Sequence, residues 1–156
     1  MIEGVRPASS EDLGRLAELA SAGVAEQIGD RGGAIWAVRE ARQLPAGASL
    51  AALVDDPRHA VLCGTLDGAV VAYAVVRVEE LRDGRALGVL TDVFVEPEAR
   101  EVGLGELLVD EVVAWCRARD CAGVDALVLP GNRATKNFFE MLGFTARALV
   151  VHKSLA

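Results

Sequence analysis

The chain has 156 residues, 52% of them hydrophobic, and a formal net charge of −7 at pH 7. A length in the range of roughly 100–200 residues predicts one domain, here residues 1–156, able to bury about 70% of its unfolded surface. The negative charge argues against a nucleic-acid partner, which rewards a basic face. No apolar run reaches the roughly 18 residues of a membrane span, so no membrane partner is expected.

A first strand is predicted at Ile2–Arg6. Ser9 then reads as a helix N-cap, with Asp12 three residues on as an approximate capping box. Leu13, Leu16, Ala17 and Ala20 follow at helical spacing, with Gly23 as the expected stop. Gly29–Gly33 reads as a turn, and Ala34–Leu44 as a second helix ended by Pro45. Strands follow at His59–Leu66, Ala69–Glu79 and Ala86–Val95, the first two joined at Asp67-Gly68, a strong hairpin signal. Ala69–Glu79 is apolar at both odd and even positions, which suits a central strand covered on two sides. An amphipathic helix is predicted from Gly103 to Arg119, then a strand at Val124–Leu129. Asn132 opens a last helix with Ala134, Phe138, Met141 and Leu142 on its apolar face, and Phe144–Leu155 supplies one or two final strands. The order β-α-α-β-β-β-α-β-α-β predicts an α/β fold: a mixed sheet with helices on both faces.

The N-terminus carries early acids and no apolar core, so it does not read as a signal peptide. Cys63, Cys116 and Cys121 are odd in number and lie in apolar stretches. They fit neither a disulfide framework nor a metal-binding spacing, so no metal is expected and a reducing, cytoplasmic setting is. His59 and His152 are isolated and read as surface or strand-end residues.

The most informative segment is Thr91–Leu108, TDVFVEPEAREVGLGELL. A strand enters a tight loop whose glycines, Gly103 and Gly105, open a helix. Glycine lets backbone approach a ligand, and the first N–H groups of a helix are unpaired and partly positive, a natural seat for a pyrophosphate. Alone this signal is weak, since many helices begin with glycine. The Lys-Ser/Thr of a P-loop is absent, and Leu108 stands where a Rossmann loop needs its third glycine.

Arg100-Glu101-Val102-Gly103-Leu104-Gly105 resembles the Arg/Gln-x-x-Gly-x-Gly/Ala motif of the GNAT superfamily of N-acetyltransferases. Val93-Phe94-Val95-Glu96-Pro97 is similar to that family's fourth strand and its following proline. Asn132–Phe144 resembles the family's Asn-x-x-Ala…Tyr-Glu-x-Leu-Gly-Phe segment, and the element order of the whole chain fits. The resemblance implies a GNAT-like, mostly antiparallel sheet and acetyl-CoA as cofactor. It implies that backbone groups of Val93, Phe94 and Val95 pair with the pantetheine amides where the fourth and fifth strands splay. It also implies that N–H groups of Glu101, Val102, Gly103, Leu104, Gly105 and Glu106 hold the pyrophosphate. Arg100 is either a phosphate contact or an outward charge. Asn132 contacts the pantetheine arm, caps its helix, or does both.

Two departures from the family pattern stand out. Glu101 and Glu106 occupy a loop that is often basic, which predicts modest affinity for coenzyme A. Phe139 stands where many relatives place a tyrosine that protonates the departing thiolate. A thiol pKa near about 8.5 makes that thiolate a tolerable leaving group without help. Tyr73, the one tyrosine, is read chiefly as packing.

The implied reaction is direct attack by a neutral amine on the thioester. A lysine-like amine of pKa about 10.4 is neutral in roughly one molecule in 2,500 at pH 7, so a base helps. Asp92 is the first candidate base, followed by Glu79 and Glu80. The acceptor, a small-molecule or protein amine, is expected to be shaped by Ala25–Pro45 and the loop near Leu81–Arg85. A homodimer through the final strand is compatible with the sequence. The alternative function is an acyl-CoA-binding or sensing module with weak or no catalysis.

Overall fold

The computed structural model describes residues 1–156. Five strands lie in the order β1-β2-β3-β4-β5. They are β1 (Glu3–Pro7), β2 (His59–Leu66), β3 (Ala69–Glu80), β4 (Ala86–Val95) and β5 (Cys121–Ala126). The first four pair antiparallel and β5 pairs parallel to β4, giving the mixed, mostly antiparallel sheet expected. Asp67 and Gly68 both take positive φ, 49° and 85°, the geometry that matches the twist of two hairpin strands.

Alternation along β3 divides the core in two. Ala72, Ala74 and Val76 face α4 (Leu104–Ala118), packing with Leu104, Leu108, Val112 and Cys116. Tyr73 and Val75 face the other side, packing with Leu16, Leu19 and Leu50 of α1 (Leu13–Gln27) and α3 (Gly47–Val54). A strand apolar on both faces thus sits between two helical layers, as its sequence indicates. No helix is long and apolar enough to cross a membrane.

The differences from expectation have physical causes. α1 continues past Gly23 to Gln27. Gly23 is a contact residue, not a stop: a Cβ there would lie 3.2 Å from the Phe94 ring of β4. α2 covers only Gly33–Arg39; beyond it the chain leaves the helix, and the Arg42 side chain is held by Asp92 of β4. α3 was not expected; its alanine-rich run is short, and its place is set by burial of Leu50. β5 begins three residues earlier than predicted and ends at Ala126, with Leu127 already 55% exposed. In α5 (Arg133–Met141) the buried residue is Phe139, whereas Met141 is 86% exposed. The final strand is not formed within the chain: residues 145–156 carry no strand and are exposed throughout.

The Ser9–Asp12 box does form. The Ser9 N–H donates to the Asp12 carboxylate at 2.8 Å, and Arg6 grips both carboxylate oxygens at 2.8 and 2.9 Å. The Arg6 hydrogen bonds, then the Ser9 N–H, hold the Asp12 carboxyl well below the usual carboxylate range. A carboxyl depressed on folding contributes stability above its unfolded pKa of about 3.9, and that contribution is lost as pH falls through and below that value. Asp12→Asn is therefore expected to lower the urea midpoint at neutral pH and to flatten its fall on acidification. An unchanged pH dependence would contradict this role.

Candidate functional site

β4 outlasts its parallel neighbour. The β4–β5 ladder ends at Leu90↔Ala126, while β4 runs on to Val95. A bulge between Val75 and Val76 leaves Thr91 unpaired, and bulges locally bend a strand. The Glu96 N–H donates to the Val71 carbonyl at 2.9 Å, which fixes the phase of the antiparallel ladder. Backbone groups in such a ladder alternate sides. Asp92 and Phe94 therefore face β3, and Val93 and Val95 turn theirs toward the gap that β5 has left. The Phe94 backbone is committed to the sheet, and its ring is buried against α1.

The loop after β4 presents a run of backbone donors. No carbonyl or side chain accepts the N–H groups of Glu101, Val102, Gly103, Leu104, Gly105 or Glu106; the ladder of α4 begins with Leu107 N–H on Gly103 O at 3.1 Å. Six successive free amides at a helix N-terminus, with the dipole behind them, suit a di-anion. Gly103 has φ +84° and nothing within 4 Å of where a Cβ would be, so the backbone is bare. Gly105 serves packing: a Cβ would lie 3.2 Å from the Phe138 ring. Leu104 is buried in the core and fixes the helix start, while Val102 packs partly against the same cluster. Glu101 and Glu106 are exposed and turn their charges to solvent.

Arg100 is already employed. Its Nη2 contacts both Glu26 oxygens at 2.9 and 2.8 Å, its Nε donates to the Val95 carbonyl at 2.8 Å, and its guanidinium lies 5.5 Å from the Phe94 ring centre. It ties the end of α1 to β4. Asn132 caps α5, its side chain accepting the Thr135 N–H at 3.1 Å.

Asp92 is the centre of a buried polar cluster. Arg42 Nη2 lies 2.6 Å from Oδ1 and Nε 3.0 Å from Oδ2; the Tyr73 hydroxyl donates to Oδ2 at 2.9 Å; the Thr91 hydroxyl is 2.7 Å from Oδ1. The Arg42 and Asp92 side chains are only 15% and 5% exposed. Burial works against the charge of Arg42, but the hydrogen bonds and charge of Asp92 more than offset it, leaving its pKa raised. Burial, reinforced by Asp92, pushes the Tyr73 phenol far above its ordinary value. Tyr73 is thus more than packing, since its hydroxyl is bound to the acid expected to be the base.

Arg42 also lines a cavity of about 630 Å³ with Val24, Ile28, Val38, Arg39 and Leu44. That volume is within the range of small-molecule sites. It lies in the Ala25–Pro45 region expected to shape the acceptor side. Phe139, in contrast, is 4% exposed and packs edge-on to Phe138 and Phe144 with ring centres 5.2 and 5.1 Å away. Glu79 and Glu80 stand at the far end of β3, paired with Leu87 and Ala86, away from the gap.

Arg42 and Thr91 are the residues sequence reasoning missed. Arg42 meets a partner 50 positions away, and no local pattern reports such a pair. The Thr91 bulge appears only in the register with β3.

The model of the acetyltransferase (GNAT) family matches residues 26–144 of this chain. A glucosamine 6-phosphate N-acetyltransferase of Trypanosoma brucei brucei is 33% identical over 107 residues, covering 64% of this chain and 71% of that protein. The tetramutant of BH1408 protein from Bacillus halodurans superposes with a TM-score of 0.83 at 22% identity, covering 99% of this chain and 100% of that one. AAC(6')-Iy, solved with a CoA-containing bisubstrate analogue, gives 0.76 at 16% identity over 100% of this chain and 99% of its own. At these identities the two structures speak to the fold.

Proposed function

The chain belongs to the acetyltransferase (GNAT) family, whose acetyl donor is acetyl-CoA, and on that premise we propose that it acetylates the amine of a small molecule by direct attack. The observation that carries this reading is the run of six free amides, Glu101–Glu106, beside a strand whose Val93 and Val95 backbone faces an open gap. These groups fit the donor: the amides take the diphosphate, and Val93 and the Val95 N–H take the pantetheine arm as an added strand would. The donor supplies an activated thioester there. The cavity lined by Arg42, which is itself bonded to Asp92, is the place we assign to the acceptor.

The amine must lose a proton to attack. Asp92 is the one acid on β4, the strand expected to hold the thioester, and to accept that proton it must exchange one of its present partners, Arg42, Tyr73 or Thr91. Phe139 offers no proton, so the departing thiolate is protonated by solvent. Arg100 and Asn132 act through structure, holding β4 and α5, and leave the phosphates to the backbone. Glu101, exposed beside the diphosphate seat, repels it weakly; Glu101→Arg is expected to tighten coenzyme A binding a few-fold, more at low salt. Equal affinities by calorimetry would remove that effect.

The test is release of free thiol from acetyl-CoA over a panel of amines that includes glucosamine 6-phosphate, the amine named for the trypanosomal relative. Amine-dependent release supports the transferase. Binding of acetyl-CoA without release for any amine would overturn it in favour of an acyl-CoA-binding module.

A further inference from the structure

We propose that the acceptor is an α-amino acid with an apolar side chain, its carboxylate held by Arg42. This rests on the acetyl-transfer reading and names the substrate class of the same cavity.

The wall of the 630 Å³ cavity sets the body of the ligand. Val24, Ile28, Val38 and Leu44 line it, and no Asp or Glu does. Ile28, Val38 and Leu44 are exposed, so a ligand there has apolar surface to cover. A polyhydroxylated acceptor would set its hydroxyls against these side chains without partners, which costs binding. An aliphatic or aromatic body gains from the same contacts.

The charges on the wall set the polar end. Its ionisable residues are Arg39 and Arg42. A simple alkyl amine arrives as a cation and meets two guanidinium groups with no carboxylate beside them, whereas an α-amino acid brings its own anion. Arg39 is paired with Glu40 at 3.0 Å. Arg42 bonds to Asp92 through Nε and Nη2, and no hydrogen bond reaches its Nη1. No buried side-chain nitrogen or oxygen lacks a partner, so this Nη1 stays accessible although its side chain is only 15% exposed. An arginine fixed in this way has lost its rotamer freedom before the ligand arrives, and its free end suits a carboxylate. Asp92 already balances the charge of Arg42, which favours a singly charged carboxylate over a phosphate dianion. With the carboxylate on Arg42, the α-nitrogen one carbon away is held close to Asp92. The ammonium gives one proton to Asp92, and the neutral nitrogen forms the C–N bond as the thioester C–S bond breaks. The nitrogen then sheds a second proton to solvent, and the departing thiolate takes one up.

Thiol release from acetyl-CoA is measured with leucine, leucinamide, serine and glucosamine 6-phosphate, and with the series alanine, 2-aminobutyrate, norvaline and norleucine. Leucine is expected to lead. Leucinamide, the same body without the carboxylate, should lose at least about 10-fold in kcat/KM, although its amine is the more readily deprotonated. The straight-chain series should gain about four-fold per methylene. Val38→Asp, at an exposed position, should raise KM for leucine at least about 10-fold and leave KM for acetyl-CoA unchanged. Leucinamide or glucosamine 6-phosphate equal to leucine, or no gain along the series, would overturn the inference and leave the transferase standing. Absence of release with every amine would instead overturn the transferase. Titration of the ¹⁵N-labelled protein with leucine in the presence of coenzyme A then decides the site: shifts at Val24 and Val38 that leucinamide does not produce uphold it, and fixed resonances overturn it.

Discussion

Arg42→Ala is expected to lower stability by about 3–5 kcal/mol, the range for removing one partner of a buried ion pair. The size follows from what is left behind. Asp92 is 5% exposed at its side chain and loses two charged hydrogen bonds, retaining only the Tyr73 and Thr91 hydroxyls. Asp92→Asn should cost somewhat less, because the Arg42 charge it leaves unpaired is the more exposed of the two, at 15%, and keeps one amide oxygen to donate to. In the double variant Arg42→Ala/Asp92→Asn much of the loss should return, and that coupling is the signature of the pair. Urea unfolding at neutral pH reads all three. A loss below about 1 kcal/mol in Arg42→Ala would mean that water reaches the pair and that it behaves as a surface bridge.

The same variants separate two roles for Asp92. As a base it touches the amine, and Asp92→Asn then removes the ionisation it contributes to the pH–rate profile along with most of the rate. As an anchor for Arg42 it shapes the acceptor side, and Asp92→Asn then raises KM and leaves the shape of the profile intact. Arg42→Ala raises KM in either case, because Arg42 lines the cavity.

Gly103→Val is expected to weaken coenzyme A binding about 10–100-fold, which is about 1.4–2.8 kcal/mol. Gly103 sits at φ +84°, where a β-branched residue is strained by about 1–3 kcal/mol. The loop relaxes by giving up that conformation, and the amides of Glu101–Glu106 then no longer converge. Gly84 supplies the control. It has φ +87° and open space around it, but it lies in the turn between β3 and β4. Gly84→Val should destabilise the fold by a similar amount and leave affinity unchanged. Equal affinities in the Gly103 and Gly84 variants would detach the loop from binding.

What the sequence conveyed well is what neighbours in the chain decide. Asp67-Gly68 specifies its hairpin, β3 announces its two covered faces by an unbroken apolar run from Ala69 to Val76, and Gly103 marks the start of α4. These are short-range rules of turn chemistry and side-chain period. What it conveyed poorly depends on distant partners. Arg42 finds Asp92 across 50 positions, and Arg100 finds Glu26 across 74. The second of these turned a residue with two readings into a tie between α1 and β4. α5 shows an intermediate case: the helix was legible, but its buried side was rotated from Met141 toward Phe139 by the aromatic stack with Phe144. The C-terminal segment is the clearest limit. Its composition favours a strand, yet a strand needs a neighbour, and none is present within one chain.

The most direct measurement is titration of the ¹⁵N-labelled protein with coenzyme A, followed through the backbone amide resonances. The account predicts that Glu101–Glu106, Val93 and Val95 shift most and in parallel, with the cavity around Val24 and Val38 little affected. Resonances of the loop that stay fixed at millimolar ligand, or shifts confined to that cavity, would contradict it.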